Sequence, residues 1–290
     1  MAEEVLKPYL VTDPQEMSER LDALRAQGKK IGLVPTMGAL HLGHLSLALA
    51  AKNECDVVVV SDFVNPTQFA PNEDFDKYPR ALDADLSLLA KIETDFVFAP
   101  PASKMYPSGF DASVHVGGVS KILEGAFRPT HFDGVCLVVL KLFNITRADI
   151  AYFGQKDYQQ VAVVKKMVAD LNVPTKIAMR PIIRERDGLA MSSRNSYMTD
   201  DERKQALVLS RALDAAEELI KAGERESSVV YDKMREIIAT APDAKIDYIR
   251  IADPDSLLEM DRIAGNVVIL EAVRIGATRL IDNKLIERKS

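Results

Sequence analysis

The sequence predicts an α/β fold in which a mostly parallel sheet, with helices on both faces, precedes a smaller α+β domain. Short apolar segments of the buried-strand type alternate with helical patterns through the first part of the chain. After about residue 186 the strands alternate apolar and polar residues instead. A length of 290 residues is sufficient for two domains. We place these domains at residues 1–185 and 186–290.

The elements of the first domain alternate along the chain. Predicted helices cover residues 13–26, 43–53, 82–92, 119–125, 133–145 and 154–171, and predicted strands cover residues 31–35, 56–63, 95–99, 113–116, 150–153 and 175–182. In the second domain we predict helices at 200–222 and 228–241 and strands at 245–251, 266–275 and 278–285. We interpret Gly276 and the pair Asp282-Asn283 as punctuation, that is, as turn-forming residues that end or interrupt these strands.

Composition narrows the range of functions. A formal net charge of −6 argues against a broad nucleic-acid-binding surface. The chain does not start with a basic region followed by an apolar stretch, and no apolar run reaches ~18 residues, so we predict neither a signal peptide nor a membrane span. Cys55 and Cys136 lie in or beside apolar segments, and we interpret both as buried free thiols of a reducing cytoplasm.

The segment LVPTMGALHLGHLSLA, residues 33–48, combines an apolar strand, a glycine-containing turn and the start of a helix. Turn amides and the positive end of a helix dipole favour a phosphate, and His41 and His44 add donors. For an arbitrary pair of histidines three residues apart, a surface or core role is equally common. A zinc site needs three or four ligands, and the chain has only 4 histidines and 2 cysteines.

A second strand-to-helix junction, at Gly154, repeats this logic. Gly154 permits close backbone approach, and Lys156 brings a mobile positive charge suited to phosphate. If the two strands are neighbours and parallel, both junctions open on the same edge of the sheet.

Three loops carry further candidates, each with a plainer interpretation. Asn65 and Gln68 could bind a small polar ligand, or form ordinary turns. Arg128 could bind an anion, although surface ion pairs are commoner. The loop LAMSSRN, residues 189–195, could bracket a phosphate with its hydroxyls and its cation, or cap a helix.

Two motifs resemble the signatures of a known superfamily. HLGH at 41–44 resembles the HIGH signature of the Rossmann-like adenylyl- and nucleotidyl-transferring superfamily, and MSSRN at 191–195 resembles its second signature, KMSKS, in altered form. More narrowly, the chain resembles the pantothenate synthetase family in a series of segments that occur in the same order: PTMGALHLGH, FVNPTQF, YPR, HFDGV, YFGQKDYQQ and DGLAMSSRN.

The resemblance implies an ATP-dependent ligation in two steps, with pantoate and β-alanine as small-molecule substrates and pantoyl adenylate as intermediate. It implies an ATP site made by Met37, Gly38, His41, Gly43, His44, Gly154, Lys156, Asp157, Ile183, Met191, Ser192, Ser193 and Arg194. The catalytic candidates among these are His41, His44, Lys156, Ser192, Ser193 and Arg194. Residues 191–194, from the second domain, would form part of a lid that closes over the triphosphate.

The resemblance also implies residues for the other ligands. Gln68 and Gln160 would bind pantoate, with Asn65, Tyr78 and Arg128 nearby. Mg²⁺ is expected with ATP, because it screens the phosphates. Asp85, together with Asp83, is the candidate protein ligand for Mg²⁺, although the ion could be held largely by phosphates and water.

Two features of the sequence depart from the family pattern. Leu42 stands where an acidic residue is often found, and Ser193-Arg194 replaces the lysine-centred end of KMSKS. The resemblance further implies a cytoplasmic homodimer. Rival hypotheses are another nucleotidyltransferase with the same ATP pocket, and a non-catalytic nucleotide sensor; His44, Lys156 and Arg194 argue against the sensor.

Overall fold

The computed structural model describes residues 7–71, 73 and 75–287. The chain divides into two compact units. The first contains the residues up to Gly154 together with Val163–Pro181, and the second contains Gln155–Ala162 together with the residues from Ile182 onward. Residues 155–162, which we assigned to the first domain from the sequence, therefore belong to the second unit.

The first unit is built on a six-stranded sheet in which all recorded pairings are parallel. Its strands are β1 (Tyr9–Val11), β2 (Ile31–Thr36), β3 (Val57–Asp62), β4 (Phe96–Phe98), β5 (Ile150–Gly154) and β6 (Lys176–Arg180). Their order across the sheet is β1-β4-β3-β2-β5-β6. The predicted parallel sheet is confirmed.

Helices connect these strands. They are α1 (Pro14–Arg25), α2 (Leu42–Glu54), α3 (Leu82–Ala90), α4 (Ala102–Met105), α5 (Glu124–Phe127), α6 (His131–Thr146) and α7 (Tyr158–Asp170), of which α7 continues from the second unit into the first. β2 and β3 are buried along almost their whole length, as expected for strands covered on both faces. Part of the core joins Leu47 and Ala51 of α2 to Val34 and Val60 of the sheet.

One strand was not predicted, and two local predictions were wrong. β1 was missed because it is short and two of its three residues, Tyr9 and Leu10, are exposed, which weakens the apolar signal. Residues 113–116, predicted as a strand, have no regular structure. The predicted helix 119–125 is divided into a 3-10 turn, Gly118–Ser120, and α5, because Leu123 has a φ of 50° and so interrupts the helix.

The second unit has a three-stranded antiparallel sheet in the order β7-β8-β9. Its elements are α8 (Asp200–Lys221), α9 (Ser227–Ile238), β7 (Ala244–Ala252), β8 (Val267–Ile275) and β9 (Thr278–Ile286). Asp282 and Asn283, interpreted as punctuation, instead lie buried inside β9, where hydrogen bonds satisfy their polar groups. The predicted α+β character of this part is confirmed.

Both cysteines are free thiols, but only Cys136 is fully buried, whereas Cys55 is partly exposed. Burial raises the pKa of Cys136 to about 12. Within residues 7–71, 73 and 75–287, no helix has both the length and the apolar composition needed to cross a membrane.

Candidate active site

The strand order of the first unit locates a ligand-binding edge. From β2 the sheet continues through β3 and β4 on one side and through β5 and β6 on the other. Ligands of open α/β sheets bind beyond the carboxyl ends of the strands at such a reversal of order. β2 and β5 are neighbours and parallel, so Thr36 and Gly154 end their strands at the same edge. The prediction that the two junctions share an edge is confirmed.

The turn between β2 and α2 is held by a buried carboxylate. Gly38 and Ala39 both have positive φ, 77° and 51°, which bends the chain sharply after the strand. The two oxygens of Asp85 accept the backbone N–H groups of Ala39 and Leu40, each at 2.8 Å. Asp85 lies in the first turn of α3 and is 1% exposed. It therefore ties α3 to the turn that leads into His41.

A second carboxyl group, that of Asp62, packs against Gly38 of this turn. A Cβ atom at position 38 would lie 2.2 Å from Asp62 Oδ1, so the turn requires glycine there. Burial, and then the neighbouring carboxylate of Asp85, raise the pKa of Asp62 to about 7. Among the described residues, the other oxygen of Asp62, Oδ2, is buried without a hydrogen-bond partner. The raised pKa means that Asp62 takes up a proton more readily than an exposed aspartate does.

His41 and His44 both belong to the start of α2. Nδ1 of His41, the N-cap residue, accepts the N–H of Gly43 at 3.2 Å, and Nδ1 of His44 accepts the N–H of His41 at 3.4 Å. The rings stack with centroids 4.1 Å apart. Because both Nδ1 atoms accept, the neutral rings carry their hydrogens on Nε2. No acidic side chain lies in the first turn of α2, so these donors and the helix dipole favour an anion.

Asn65 and Gln68 follow β3 and are nearly fully buried, 1% and 8% exposed. Asn65 Nδ2 donates to Gln68 Oε1 at 3.1 Å and to the carbonyl oxygen of Gly134 at 3.1 Å. Gln68 Nε2 lies 3.0 Å from the sulfur of Met37. The structure thus brings the predicted substrate residues next to the predicted ATP turn.

The other substrate candidates of the first unit are Arg128 and Tyr78. Both contact the loop after β3 that contains Gln68. Arg128 Nε forms an ion pair of 2.6 Å with Glu73, and its Nη2 donates to the carbonyl oxygen of Gln68 at 3.3 Å. Tyr78 is buried with its ring 6.0 Å from that of Phe69. Arg128 therefore has the ion pair that the plainer interpretation expected.

His131, which the sequence did not single out, also holds Gln68. Its Nδ1 lies 3.0 Å from the carbonyl oxygen of Gln68, and its Nε2 lies 3.2 Å from Nη1 of Arg128. Because the guanidinium can only donate, Nε2 accepts and Nδ1 carries the hydrogen. Burial, and then the charge of Arg128, lower the pKa of His131 to about 4. The imidazole is therefore neutral at physiological pH.

Lys156 belongs to the second unit, in the 3-10 turn Gln155–Asp157 that precedes α7. Asn283 Nδ2 donates to the carbonyl oxygens of Gln155 and Lys156, both at 2.9 Å, and Asn283 Oδ1 accepts from Gln155 Nε2 at 3.2 Å. The Lys156 ammonium is 3.7 Å from the exposed carboxylate of Asp157. The first turn of α7 includes Gln160, which is partly buried.

Residues 182–198 form the second segment of this unit that contains predicted site residues. An antiparallel bridge joins Arg184 to Ala190, and the N–H of Met191 donates to the carbonyl oxygen of Ile183 at 3.0 Å. The predicted residues Ile183 and Met191 are thus adjacent. Arg184 donates to both oxygens of Asp282, at 2.6 and 3.0 Å, which fastens the segment to β9.

The serine and arginine residues of the altered second signature lie just beyond this bridge. The hydroxyl of Ser192 accepts the N–H of Arg194 at 3.3 Å and begins the 3-10 turn Ser193–Tyr197. Asn195 Nδ2 donates to Glu185 and to the carbonyl oxygen of Ala190. The side chains of residues 191–194 remain partly exposed. Both the capping interpretation and the phosphate interpretation are compatible with this geometry.

The residues that sequence reasoning missed support the predicted ones. Asp62 packs closely against Gly38, and Tyr106 donates a hydrogen bond to Asn65. His131 contacts the carbonyl oxygen of Gln68, and Asn283 donates to that of Lys156. Asp62, Tyr106 and Asn283 lie outside the segments that carry the family resemblance, and His131 begins one of them, HFDGV, which by itself assigns it no role. Each of the four contacts a residue from which it is separated along the chain, and only the fold brings the two together.

No group of three or more His, Cys, Asp or Glu side chains is arranged to bind a metal ion within the part of the chain that the structure describes. Both oxygens of Asp85 are already engaged by amide hydrogens. Asp83 is exposed on the same turn of α3.

A family model described as pantoate-beta-alanine ligase matches residues 9–285. The chain belongs to the pantoate-beta-alanine ligase family. It is 55% identical over 265 residues to the pantothenate synthetase of Moorella thermoacetica, a match that covers 91% of the chain and 94% of that relative. It is 53% identical over 277 residues to that of a Thermoanaerobacter species, covering 95% and 98%.

Solved structures of this family have the same fold. The crystal structure of pantothenate synthetase from Thermus thermophilus matches with a TM-score of 0.91 and 42% identity, over 95% of this chain and 98% of that one. The pantoate-beta-alanine ligase of Francisella tularensis, complexed with beta-gamma ATP and beta-alanine, matches with a TM-score of 0.77 and 38% identity, over 96% and 97%. The predicted family, fold class and ligase activity are confirmed.

Proposed function

We propose that this ligase joins pantoate to β-alanine with ATP, through pantoyl adenylate. A carboxylate oxygen of pantoate attacks the α-phosphorus of ATP, and pyrophosphate leaves. The amine of β-alanine then attacks the carbonyl carbon of the mixed anhydride, which forms the amide of pantothenate and expels AMP. Neither step needs a side chain as nucleophile, so the protein acts by alignment, charge stabilisation and exclusion of water.

The observation that carries this proposal is the pair of neutral histidines at the start of α2. Their Nδ1 atoms are engaged by backbone amides, so each ring has an Nε2–H donor. They stand at the carboxyl end of β2, where the strand order predicts a ligand. We assign to His41 and His44 the stabilisation of negative charge on the phosphates during attack at the α-phosphorus.

Other residues of the first unit bind the acid substrate and shape the turn between β2 and α2. Met37, Gly38 and Gly43 bring backbone close to the nucleotide, and Asn65 and Gln68 bind pantoate beside Met37. Tyr78 and Arg128 act on the same loop. These roles are supported by the hydrogen bonds that place Gln68 next to the turn.

We assign complementary roles to the second unit. Lys156 offers a positive charge to the α-phosphate, and Gly154, the last residue of the first unit's β5, allows the backbone to approach. Gln160 contributes to pantoate binding. Ser192, Ser193 and Arg194 offer hydroxyl and guanidinium donors to phosphate oxygens, with Asp157, Ile183 and Met191 contacting the nucleotide.

Mg²⁺ supplies charge neutralisation on the β- and γ-phosphates when it is bound with ATP. We propose that phosphate oxygens and water hold most of its coordination, because both oxygens of Asp85 already accept amide hydrogens. The homodimer and the cytoplasmic location stay predictions from the family resemblance.

The test measures pyrophosphate release with ATP and pantoate, with and without β-alanine, and with β-alanine alone. We expect a single turnover of pyrophosphate with pantoate alone and continuous turnover when β-alanine is added. A nucleotidyltransferase for another acceptor ignores pantoate, and a nucleotide sensor releases no pyrophosphate. Either of these results contradicts the proposal.

A further inference from the structure

The side-chain amide of Asn65 can adopt only one orientation. Its Oδ1 accepts the backbone N–H of Thr67 at 3.3 Å, and its Nδ2 donates to the carbonyl oxygen of Gly134 at 3.1 Å. A backbone N–H can only donate and a carbonyl oxygen can only accept. Exchanging the oxygen and nitrogen of Asn65 would therefore break both contacts.

This orientation determines that of Gln68. The atom of Gln68 that faces Asn65 Nδ2, at 3.1 Å, must be an acceptor, so it is Oε1. Gln68 Nε2 then lies on the other side, 3.0 Å from the sulfur of Met37. A thioether sulfur is a weak acceptor, and an amide nitrogen carries two hydrogens. Gln68 thus has a strong donor available for a ligand beside Met37.

Tyr106 also holds Asn65. We call the hydrogen-bonded series Tyr106, Asn65 and Gln68 the relay. Its hydroxyl lies 2.8 Å from Asn65 Oδ1, and since Oδ1 can only accept, the tyrosine donates. The ring is held by Phe110, with centroids 5.3 Å apart, and by Phe63 at 6.3 Å. Burial raises the pKa of Tyr106, which keeps the hydroxyl protonated and therefore a donor.

We propose that Tyr106 is a positioning residue that acts through Asn65 to hold Gln68 with its N–H donor toward an acceptor oxygen of the bound hydroxy acid. Because the relay presents an N–H donor of Gln68 beside Met37, this part of the site favours a substrate oxygen that accepts a hydrogen bond over a group that donates one. The inference rests on the proposed function for the identity of the ligand, whereas the orientation of Gln68 is a property of the free protein.

The orientation is tested without substrate. In protein with ¹⁵N-labelled glutamine side chains and ¹³C-labelled methionine methyl groups, we expect nuclear Overhauser contacts between the Nε2 hydrogens of Gln68 and the methyl group of Met37. In the Asn65→Asp variant the donor toward Gln68 is lost, and we expect Gln68 to turn and these contacts to weaken. Absence of the contacts in the unaltered protein, or their full retention in the Asn65→Asp variant, overturns the relay.

The kinetic test uses Tyr106→Phe, which keeps the ring and removes only the hydroxyl. We expect the KM for pantoate to rise by about threefold to tenfold, the range of one lost hydrogen bond, while kcat and the KM for ATP change by less than about twofold. The matched control is Tyr152→Phe, because Tyr152 also has a hydrogen-bonded hydroxyl in the first unit, 3.0 Å from Glu54. This control removes a similar bond far along the chain from Gln68.

The outcomes separate the two proposals. An unchanged pantoate KM in Tyr106→Phe, or an equal rise in Tyr152→Phe, overturns the positioning role of Tyr106. A uniform loss of kcat with an unchanged pantoate KM indicates a merely structural effect and also contradicts it. If the unaltered protein releases no pyrophosphate with pantoate, the proposed function fails, and the Overhauser contacts still decide the orientation of Gln68.

Discussion

Asn283 donates a hydrogen bond from its side-chain nitrogen to the carbonyl oxygen of Lys156, at 2.9 Å. The same nitrogen donates to the carbonyl oxygen of Gln155 at 2.9 Å, and Asn283 is 2% exposed. Its neighbour on β9, Asp282, binds Arg184. Two consecutive residues of one strand thus fasten the two segments of the second unit in which we place ATP-binding residues.

Replacing Asn283 with alanine removes three hydrogen bonds from the turn that carries Lys156. We expect kcat for adenylate formation to fall by about tenfold or more, because the positive charge of Lys156 is no longer held in position. Single-turnover pyrophosphate release measures this rate. Gln205→Ala is the control, since Gln205 is a side-chain amide of the same unit that bonds to Asp201 and Asp243. Equal rates for both variants contradict the assigned role.

The helix cap that the His44 ring forms can be separated from the charge stabilisation that we propose for it. In His44→Asn the side-chain oxygen can accept the N–H of His41 as Nδ1 does, but the variant has no Nε2–H. We expect adenylate formation to slow by about 10²-fold with little change in the free energy of unfolding. His44→Ala should lose the same activity and also about 1 kcal/mol of stability, because the cap is gone.

Leu42→Ala is the control for His44, since Leu42 lies in the same helical turn and is 60% exposed. We expect it to retain activity. Near-normal single-turnover rates in His44→Asn would exclude a role for the Nε2–H donor.

Asp85 and Asp83 lie in the first turn of α3 but differ in burial. In Asp85→Asn an amide N–H₂ replaces one of the oxygens that accept the N–H groups of Ala39 and Leu40. We expect the free energy of unfolding to fall by about 2 kcal/mol and kcat to fall with it. Asp83→Asn should change neither, and denaturant unfolding with steady-state kinetics measures both variants.

The Mg²⁺ dependence distinguishes the two roles considered for Asp85. If Asp85 supports the turn, the Mg²⁺ concentration for half-maximal activity stays the same in Asp85→Asn. A clear rise in that concentration, with unchanged stability, would instead make Asp85 a metal ligand.

His131 makes stability depend on pH in a direction that can be calculated. Burial and the charge of Arg128 lower its folded-state pKa to about 4 from 6.5. As pH falls, the unfolded chain therefore takes up this proton before the folded protein does. The contribution of the neutral His131 to the free energy of unfolding is complete above pH 6.5 and is lost as pH falls toward 4. We expect this loss to be about 1–3 kcal/mol, because His131 is not completely removed from solvent.

His131→Asn should flatten this part of the stability profile while keeping a donor toward the carbonyl oxygen of Gln68. The control is His115→Asn, because the side chain of His115 is 57% exposed, with its Nδ1 2.9 Å from the carboxylate of Asp133. Denaturant unfolding between pH 4 and 7 measures the slope. An unchanged slope in His131→Asn would show that another group titrates.

Most of the α/β architecture was predictable because its signals are local. The apolar run of β3 and the apolar surface of α6 reflect burial that the residues themselves require. The failures occurred where local signals were weak or overridden. β1 is a short edge strand, and the positive φ of Leu123 interrupts a helix that the residues around it would permit.

By itself the sequence determined the family, the alternation of elements, and the residue types that can meet a triphosphate, since motif order and apolar periodicity are written along the chain. Only the tertiary structure decided which side chains support them. Asp85 reaches the turn before His41 from α3, and Asn283 reaches Lys156 from β9, 127 positions away along the chain. A hydrogen bond depends on distance and direction in space, which no local pattern specifies.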